Sequence, residues 1–290
     1  MFYYLLLFGA CTLSCIQVMF QKATVKRYGS GLINTYRAGV ISAIVFLLIM
    51  FAVGKRITLT PFSFGLAIFF ALINIVCIYF AFSVMKIGIL SRYSLFLNLG
   101  GLVIPFIYGV LFNGDPLTAG KIICLVLVIA ALMLNIDFKS KDSKKAIIYY
   151  LVVFCLNGLA CVTLAFHQNN PWNFEIISSE SFTMLYMVIY GLMSLAIYIA
   201  MSIKAGKQEP IEKKWLYIGL TGGSGVLYGF ANLTSTICLL HVEPSMQYPI
   251  MTGGAIVLAG IAGLFFKEKI TWKYIVSCIL VIVGTTAILL

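Results

Sequence analysis

Charge is what this chain of 290 residues has least of: charged side chains make up 10%, and only nine of them are acidic. Soluble domains carry roughly a quarter charged residues, so a water-facing globule is excluded. The long apolar stretches lack the strict apolar–polar alternation that separates lipid from lumen in a barrel strand, which excludes a β-barrel. Cysteine occurs eight times, but no pair has metal-ligand spacing, and all eight lie in apolar stretches where a thiol packs as a small hydrophobe. Neither a metal nor another cofactor is expected. The N-terminus lacks the positively charged region of a signal peptide, so residues 2–20 are read as a permanent span.

What remains is apolar: 62% of the residues are hydrophobic and the mean hydropathy is +1.05. Runs with few or no charges occupy 2–20, 32–53, 61–85, 90–112, 118–136, 146–166, 181–203, 215–240, 245–266 and 270–290. A bilayer core of ~30 Å needs about 20 apolar residues per helix, and each run is near that length. The expectation is an all-α membrane protein of ten transmembrane helices, with the lipid bilayer as its surroundings.

The formal net charge of +11 sits between these runs, in short clusters such as Lys22, Lys26 and Arg27. This is charge that sets topology, and nucleic acid is not an expected partner. Odd-numbered connections hold 16 of the 20 basic residues, which predicts that they are cytoplasmic and that both termini are outside.

The most hydrophilic connection falls almost at the midpoint and divides the chain into 1–138, a linker 139–145, and 146–290. The halves resemble each other weakly. Tyr4-Leu-Leu-Leu-Phe8 reads against Tyr150-Leu-Val-Val-Phe154, Phe20-Gln21 against Phe166-His167, and Tyr93 against Tyr248. Five spans per half is an odd number, so the second copy must run upside down. The expected fold is therefore two inverted five-helix repeats, with a solute site near mid-membrane at their interface.

Polar side chains inside the spans are the candidates for that site, because each is costly in lipid. Ser14, Gln17 and Gln21 form a stripe on the first span, and the repeat register puts Ala160, Thr163 and His167 at matching positions of the sixth. Thr183, Tyr186, Tyr190 and Ser194 line one face of the seventh span; Tyr228, Asn232 and Ser235 line one face of the eighth. Such stripes also serve helix–helix hydrogen bonding. The substrate-binding set drawn from these and from isolated polar positions is Gln17, Gln21, Arg37, Asn74, Tyr93, Asn98, Thr163, His167, Tyr228, Asn232 and Tyr248. Arg37 serves either as an anion contact or as an interfacial anchor. Pro105 and Pro249 would free backbone carbonyls within their helices. The glycines of the eighth span, Gly219, Gly223, Gly225 and Gly229, are expected to allow close packing. All nine acids map to loops or helix ends, which leaves no mid-membrane carboxylate to bind a proton or a cationic drug.

Gly222-Gly-Ser224-Gly225 has the form of an intramembrane serine-protease nucleophile, with His241 downstream. On one continuous helix the two would stand about 25 Å apart, too far for a catalytic pair. No enzymatic activity is expected.

Tyr248-Pro-Ile-Met-Thr-Gly-Gly-Ala, then Phe265-Phe-Lys-Glu268-Lys-Ile-Thr271 and Gly284 in a last apolar span, resemble the ten-helix EamA-type permeases of the drug/metabolite transporter superfamily. Arg37 fits the arginine common early in that family's second helix; Asp115 and Glu268 match the acid before the last helix of each half. The resemblance implies a transporter that moves a small-molecule substrate by alternating access through a central cavity lined by the first, third, fourth, sixth, eighth and ninth helices. Proton or counter-solute coupling, a monomer or homodimer, and a bacterial inner-membrane location go with it. It also implies cytoplasmic termini, the opposite of the charge count. The first span lacks the membrane glutamate of the related small multidrug pumps, which counts against drug–proton antiport. Multidrug export and a non-transporting membrane adaptor are the alternative functions.

Overall fold

The computed structural model describes residues 2–87, 90–135, 144–170, 172–206, 211–265 and 271–288. The described residues form ten helices and no strand: α1 (Phe2–Tyr28), α2 (Leu32–Ala52), α3 (Pro61–Ile87), α4 (Leu90–Phe112), α5 (Ala119–Asn135), α6 (Lys144–Asn169), α7 (Ser179–Ala205), α8 (Lys214–Cys238), α9 (Pro244–Phe265) and α10 (Trp272–Ile288). Every helix overlaps an expected run, because long apolar runs satisfy their backbone polar groups internally only as helices. The clearest difference is α1, which continues past residue 20 to Tyr28, through Lys22, Lys26 and Arg27. Long basic side chains reach outward from a helix whose stem remains in apolar surroundings, so charge ends the apolar run before it ends the helix.

Five of the helices, α1, α2, α3, α6 and α7, carry segments long and apolar enough to cross a membrane. Large apolar side chains such as Leu48, Phe69, Ile129, Leu192 and Ile279 stand exposed on the outer surface, as suits a helical protein in lipid.

Contacts fix the helix directions. α1 runs against α8, with Tyr3 stacked on His241 at one end and Phe20 beside Gly223 further along. α2 runs alongside α8: Arg37 meets Tyr217, Ser42 donates to the Thr221 carbonyl at 2.7 Å, and Phe46 lies on Gly229. α2 opposes α7 through Gly39 near Ser194 and Thr58 at Ser181. α4 runs alongside α6, with Phe96 stacked on Tyr150 and Gly101 against Cys161, and opposes α9. α5 and α10 form an antiparallel pair, with Cys124 by Gly284 and Ser277 donating to the Ala131 carbonyl at 3.0 Å.

The end of the bundle where α1 begins is tied across by polar contacts, each joining a residue before 139 to one after 145. Lys55 pairs with Glu180 at 3.0 Å, Asn169 donates to Asn113 at 3.0 Å, and Lys121 reaches Glu243 at 3.4 Å. The Asp115 carboxylate accepts from the Ser245 backbone N–H at 3.2 Å and so caps the start of α9. At the opposite end the Tyr217 hydroxyl meets Arg37 and donates to the Asn34 carbonyl.

Two crossings depend on glycine. A Cβ on Gly100 would meet the Phe154 backbone, and one on Gly225 would meet the Ser42 backbone. In α8, Gly223, Gly225 and Gly229 all face a neighbouring helix, as expected, whereas a Cβ on Gly219 would meet nothing within 4 Å.

Candidate functional site: a two-lobed central cavity

Between the halves lies a cavity with two lobes of about 110 and 150 Å³. They share Gln17, Leu97, Asn157 and Tyr228 as lining residues. The six helices expected to line it all contribute; α2 and α7 also line the smaller lobe, through Thr35, Gly39, Ser42, Met187 and Tyr190. α5 and α10 contribute no lining residue.

Of the candidate residues, Gln21, Asn74 and Tyr93 line the smaller lobe, Asn98, Asn232 and Tyr248 the larger, and Gln17 and Tyr228 both. Each is held by a bond within the bundle or faces the space directly. The Tyr228 hydroxyl donates to the Asn74 amide oxygen, while the Asn74 amide nitrogen donates to the Phe70 carbonyl at 2.8 Å. Asn232 donates to the Tyr228 carbonyl at 2.9 Å, and Tyr248 to the Cys161 carbonyl at 2.8 Å. Thr252 donates to the Asn98 carbonyl at 3.1 Å, which ties α9 to α4 beside the larger lobe.

Gln17 differs from these. It is 7% exposed, lines both lobes, and among the described residues meets no hydrogen-bond partner. Its amide faces the cavity, where a bound solute or ordered water can pair with it. Gly101 adds a backbone acceptor that lacks its usual helical donor. Pro105, four residues on, has no N–H to give the Gly101 carbonyl, and Gly101 lines the larger lobe.

Arg37, Thr163 and His167 do not line either lobe. The Arg37 guanidinium lies 5.0 Å from the Tyr217 ring centroid and bonds to Asn34, the arrangement of an anchor at the helix end. Thr163 is buried and donates to the Leu159 carbonyl at 2.8 Å. His167 is fully buried between α3, α6 and α7, 3.0 Å from Ser63, 2.8 Å from Gln168 and stacked 4.0 Å from Phe182. Its bonds are to Ser63 and Gln168; Ser224, in the protease-like motif, lines the smaller lobe, and His241 stacks on Tyr3.

Asn157, at the middle of α6, was absent from the candidate set and occupies the junction of the lobes, donating to the Leu97 carbonyl at 2.7 Å. Its signal in the sequence is a lone amide followed by Gly158 at mid-span. The face of α6 turned to the larger lobe is Asn157, Cys161 and Leu164, neighbouring the expected stripe of Ala160, Thr163 and His167. At the same offset of 146 positions, Cys11, Cys15 and Val18 of α1 line that lobe too.

Among the described residues, no Asp, Glu, Lys, Arg or His lines either lobe. The described acids Asp115, Glu175, Glu180, Glu212 and Glu243 all lie in turns, loops or a first helical turn. Glu268 and most of the expected linker lie outside the described residues.

No protein-family model and no curated protein matches the chain. Its fold is similar to that of a solved structure described only as the crystal structure of a protein: 14% identity, a TM-score of 0.68, and an alignment over 99% of this chain and 95% of the other. At that identity the likeness concerns the arrangement of helices alone.

Proposed function

We propose that the chain is a transporter of a small polar metabolite, working by alternating access as the EamA-type permeases it resembles do. The observation that carries this reading is the cavity itself, cut between the halves and lined by eight helices, with the Gln17 amide facing both lobes and making no bond to the described residues. Adaptor proteins have no need of a central cavity with polar side chains turned into it, whereas a solute site does.

On this reading all ten helices cross the bilayer and the halves are inverted repeats. The helix contacts support it: renumbering each helix by five turns the pair α1–α8 into α6–α3, α4–α6 into α9–α1, and α2–α8 into α7–α3, all of which occur. The pairs α2–α7, α4–α9 and α5–α10 map onto themselves. The opposed directions of α1 and α6, seen through α8 and α4, fit an upside-down second copy. The polar ties at the end where α1 begins would close one side of the membrane, and the cavity would open to the other when the halves rock.

The test is uptake into proteoliposomes of a labelled panel of sugars, amino acids, nucleosides, phosphorylated metabolites and a lipophilic cation by the wild-type chain and by Gln17→Ala. Saturable uptake of one class, lost in Gln17→Ala while the melting temperature holds, supports the proposal. Binding without flux for every class refutes it in favour of an adaptor. A lipophilic cation that is carried, with no metabolite carried, turns the reading to multidrug export.

A further inference from the structure

We infer that the solute is uncharged and built of two ring-sized parts, of which a nucleoside, a heterocycle joined to a sugar, is the chemical type. The inference rests on the reading of the cavity as a solute site and deepens it.

The first half follows from the lining. With no charged side chain in either lobe among the described residues, a bound ion would give up its hydration for amides and hydroxyls and find no counter-charge. The basic residue nearest in sequence to the lining of α2, Arg37, is turned to Tyr217 and Asn34 instead. Among the described residues a phosphate or carboxylate therefore meets no cation here, and a quaternary ammonium no acid. What the lobes offer is neutral donors and acceptors: Gln17 and Gln21, which meet no hydrogen-bond partner among the described residues, and the Gly101 carbonyl beside Pro105. An amide carries a donor and an acceptor side by side, the complement of a sugar hydroxyl pair or of a heterocycle edge.

The second half follows from size and shape. A cavity of about 150 Å³ is known to hold one benzene ring. The larger lobe, at about 150 Å³, matches that volume and the smaller, at about 110 Å³, takes a smaller, five-membered ring; they meet at Gln17, Leu97, Asn157 and Tyr228, with the Gln17 amide at the joint. The smaller lobe has Phe82, Tyr93, Tyr190 and Tyr228 in its walls, surfaces on which a flat ring can stack.

Native thiols report on the lobes separately: Cys77 lines the smaller, Cys15 the larger. The experiment uses the full chain in nanodiscs. Binding of uridine, adenosine, uridine monophosphate, uracil, ribose and tetraphenylphosphonium is measured by titration, and N-ethylmaleimide modification of Cys15 and Cys77 is followed by mass spectrometry. The expected result is that uridine or adenosine binds and slows modification of both cysteines, whereas uridine monophosphate, uracil, ribose and the phosphonium each bind at least 100-fold more weakly. Gln17→Leu should weaken nucleoside binding at least tenfold. Should that variant fail to fold, the cysteine protection in the unaltered chain still decides. Binding of the monophosphate or the phosphonium as tight as that of the nucleoside, protection of only one cysteine, or no binding by either nucleoside overturns the inference. Transport is judged apart: a nucleoside bound but not carried into proteoliposomes refutes the transporter reading and leaves the solute class standing, whereas uptake of a charged metabolite does the reverse.

Discussion

Gly100→Ala should destabilise the bundle through one contact that no side-chain movement can relieve. The added Cβ would stand 2.6 Å from the Phe154 carbonyl carbon and 2.7 Å from its Cα, where about 3.5 Å is needed. Both are backbone atoms, so α4 and α6 must part by ~1 Å. Forcing an extra carbon into a packed interior costs ~1–3 kcal/mol. At about 2–4 °C per kcal/mol, the melting temperature should fall by ~2–12 °C. Gly158 lies on the same crossing, its Cβ position 2.7 Å from the Gly100 carbonyl oxygen, so Gly158→Ala should behave alike. Once the helices have parted, a second methyl costs less; the double variant should lose less than the sum of the two. Gly219→Ala, whose Cβ meets nothing within 4 Å, is the control and should melt within ~2 °C of the parent. Thermal melts of the four variants in nanodiscs provide the check. A Gly100→Ala protein as stable as the parent, or a Gly219→Ala protein equally damaged, would refute the packing argument.

Asp115→Ala removes the cap on α9 together with the acceptor for Asn113, and should lower stability by ~0.5–2 kcal/mol in denaturant titrations. Lys55→Met, by contrast, breaks a pair whose side chains are 46% and 30% exposed, and should change stability by less than ~1 kcal/mol in the same titrations. In single-cysteine variants, a charged, water-borne thiol reagent should modify Cys15, on the larger lobe, and leave Cys155, exposed on the outer face of α6, unmodified in lipid, since thiol attack needs the thiolate and water. Arg56→Cys and Lys213→Cys should be labelled from opposite sides of sealed vesicles, and whichever side reaches Lys213 decides between the charge count and the family resemblance.

The helices were legible because a long apolar run satisfies its backbone polar groups internally only as a helix, and α4 falls on residues 90–112 as expected. Polar stripes were legible where two or three polar groups share a face, as with Ser14, Gln17 and Gln21, all of which line the cavity. Asn157 escaped because a single amide in an apolar helix has no partner in sequence to mark its face. His167 misled for the opposite reason. The register with Gln21 is a backbone relation, but the side chain found Ser63 of α3 and Gln168 before it found the cavity. Arg37 was open between two roles, and Tyr217, 180 positions away, holds it at the helix end; no local pattern carries that distance.

On the proposed repeat, Tyr93 and Tyr248 are counterparts, and they line opposite lobes. The α1 and α6 counterparts, Cys11, Cys15 and Val18 against Asn157, Cys161 and Leu164, share the larger lobe instead, so the proposed rocking exchanges which end is closed and not the lobes themselves. Such an exchange needs ties that can be made and broken at either end at little net cost. At the end where α1 begins Lys55–Glu180 is of that kind, being partly hydrated, whereas Lys121 is buried on the Pro116 carbonyl and reaches a half-exposed Glu243. At the other end Tyr217 holds the Asn34 carbonyl and Arg37 through neutral and cation–π contacts of similar modest strength. Among the described residues neither end is sealed by a charge pair buried on both sides, and the balance between the two states is left to the solute, through whichever contacts to the central amides are better in one state than in the other.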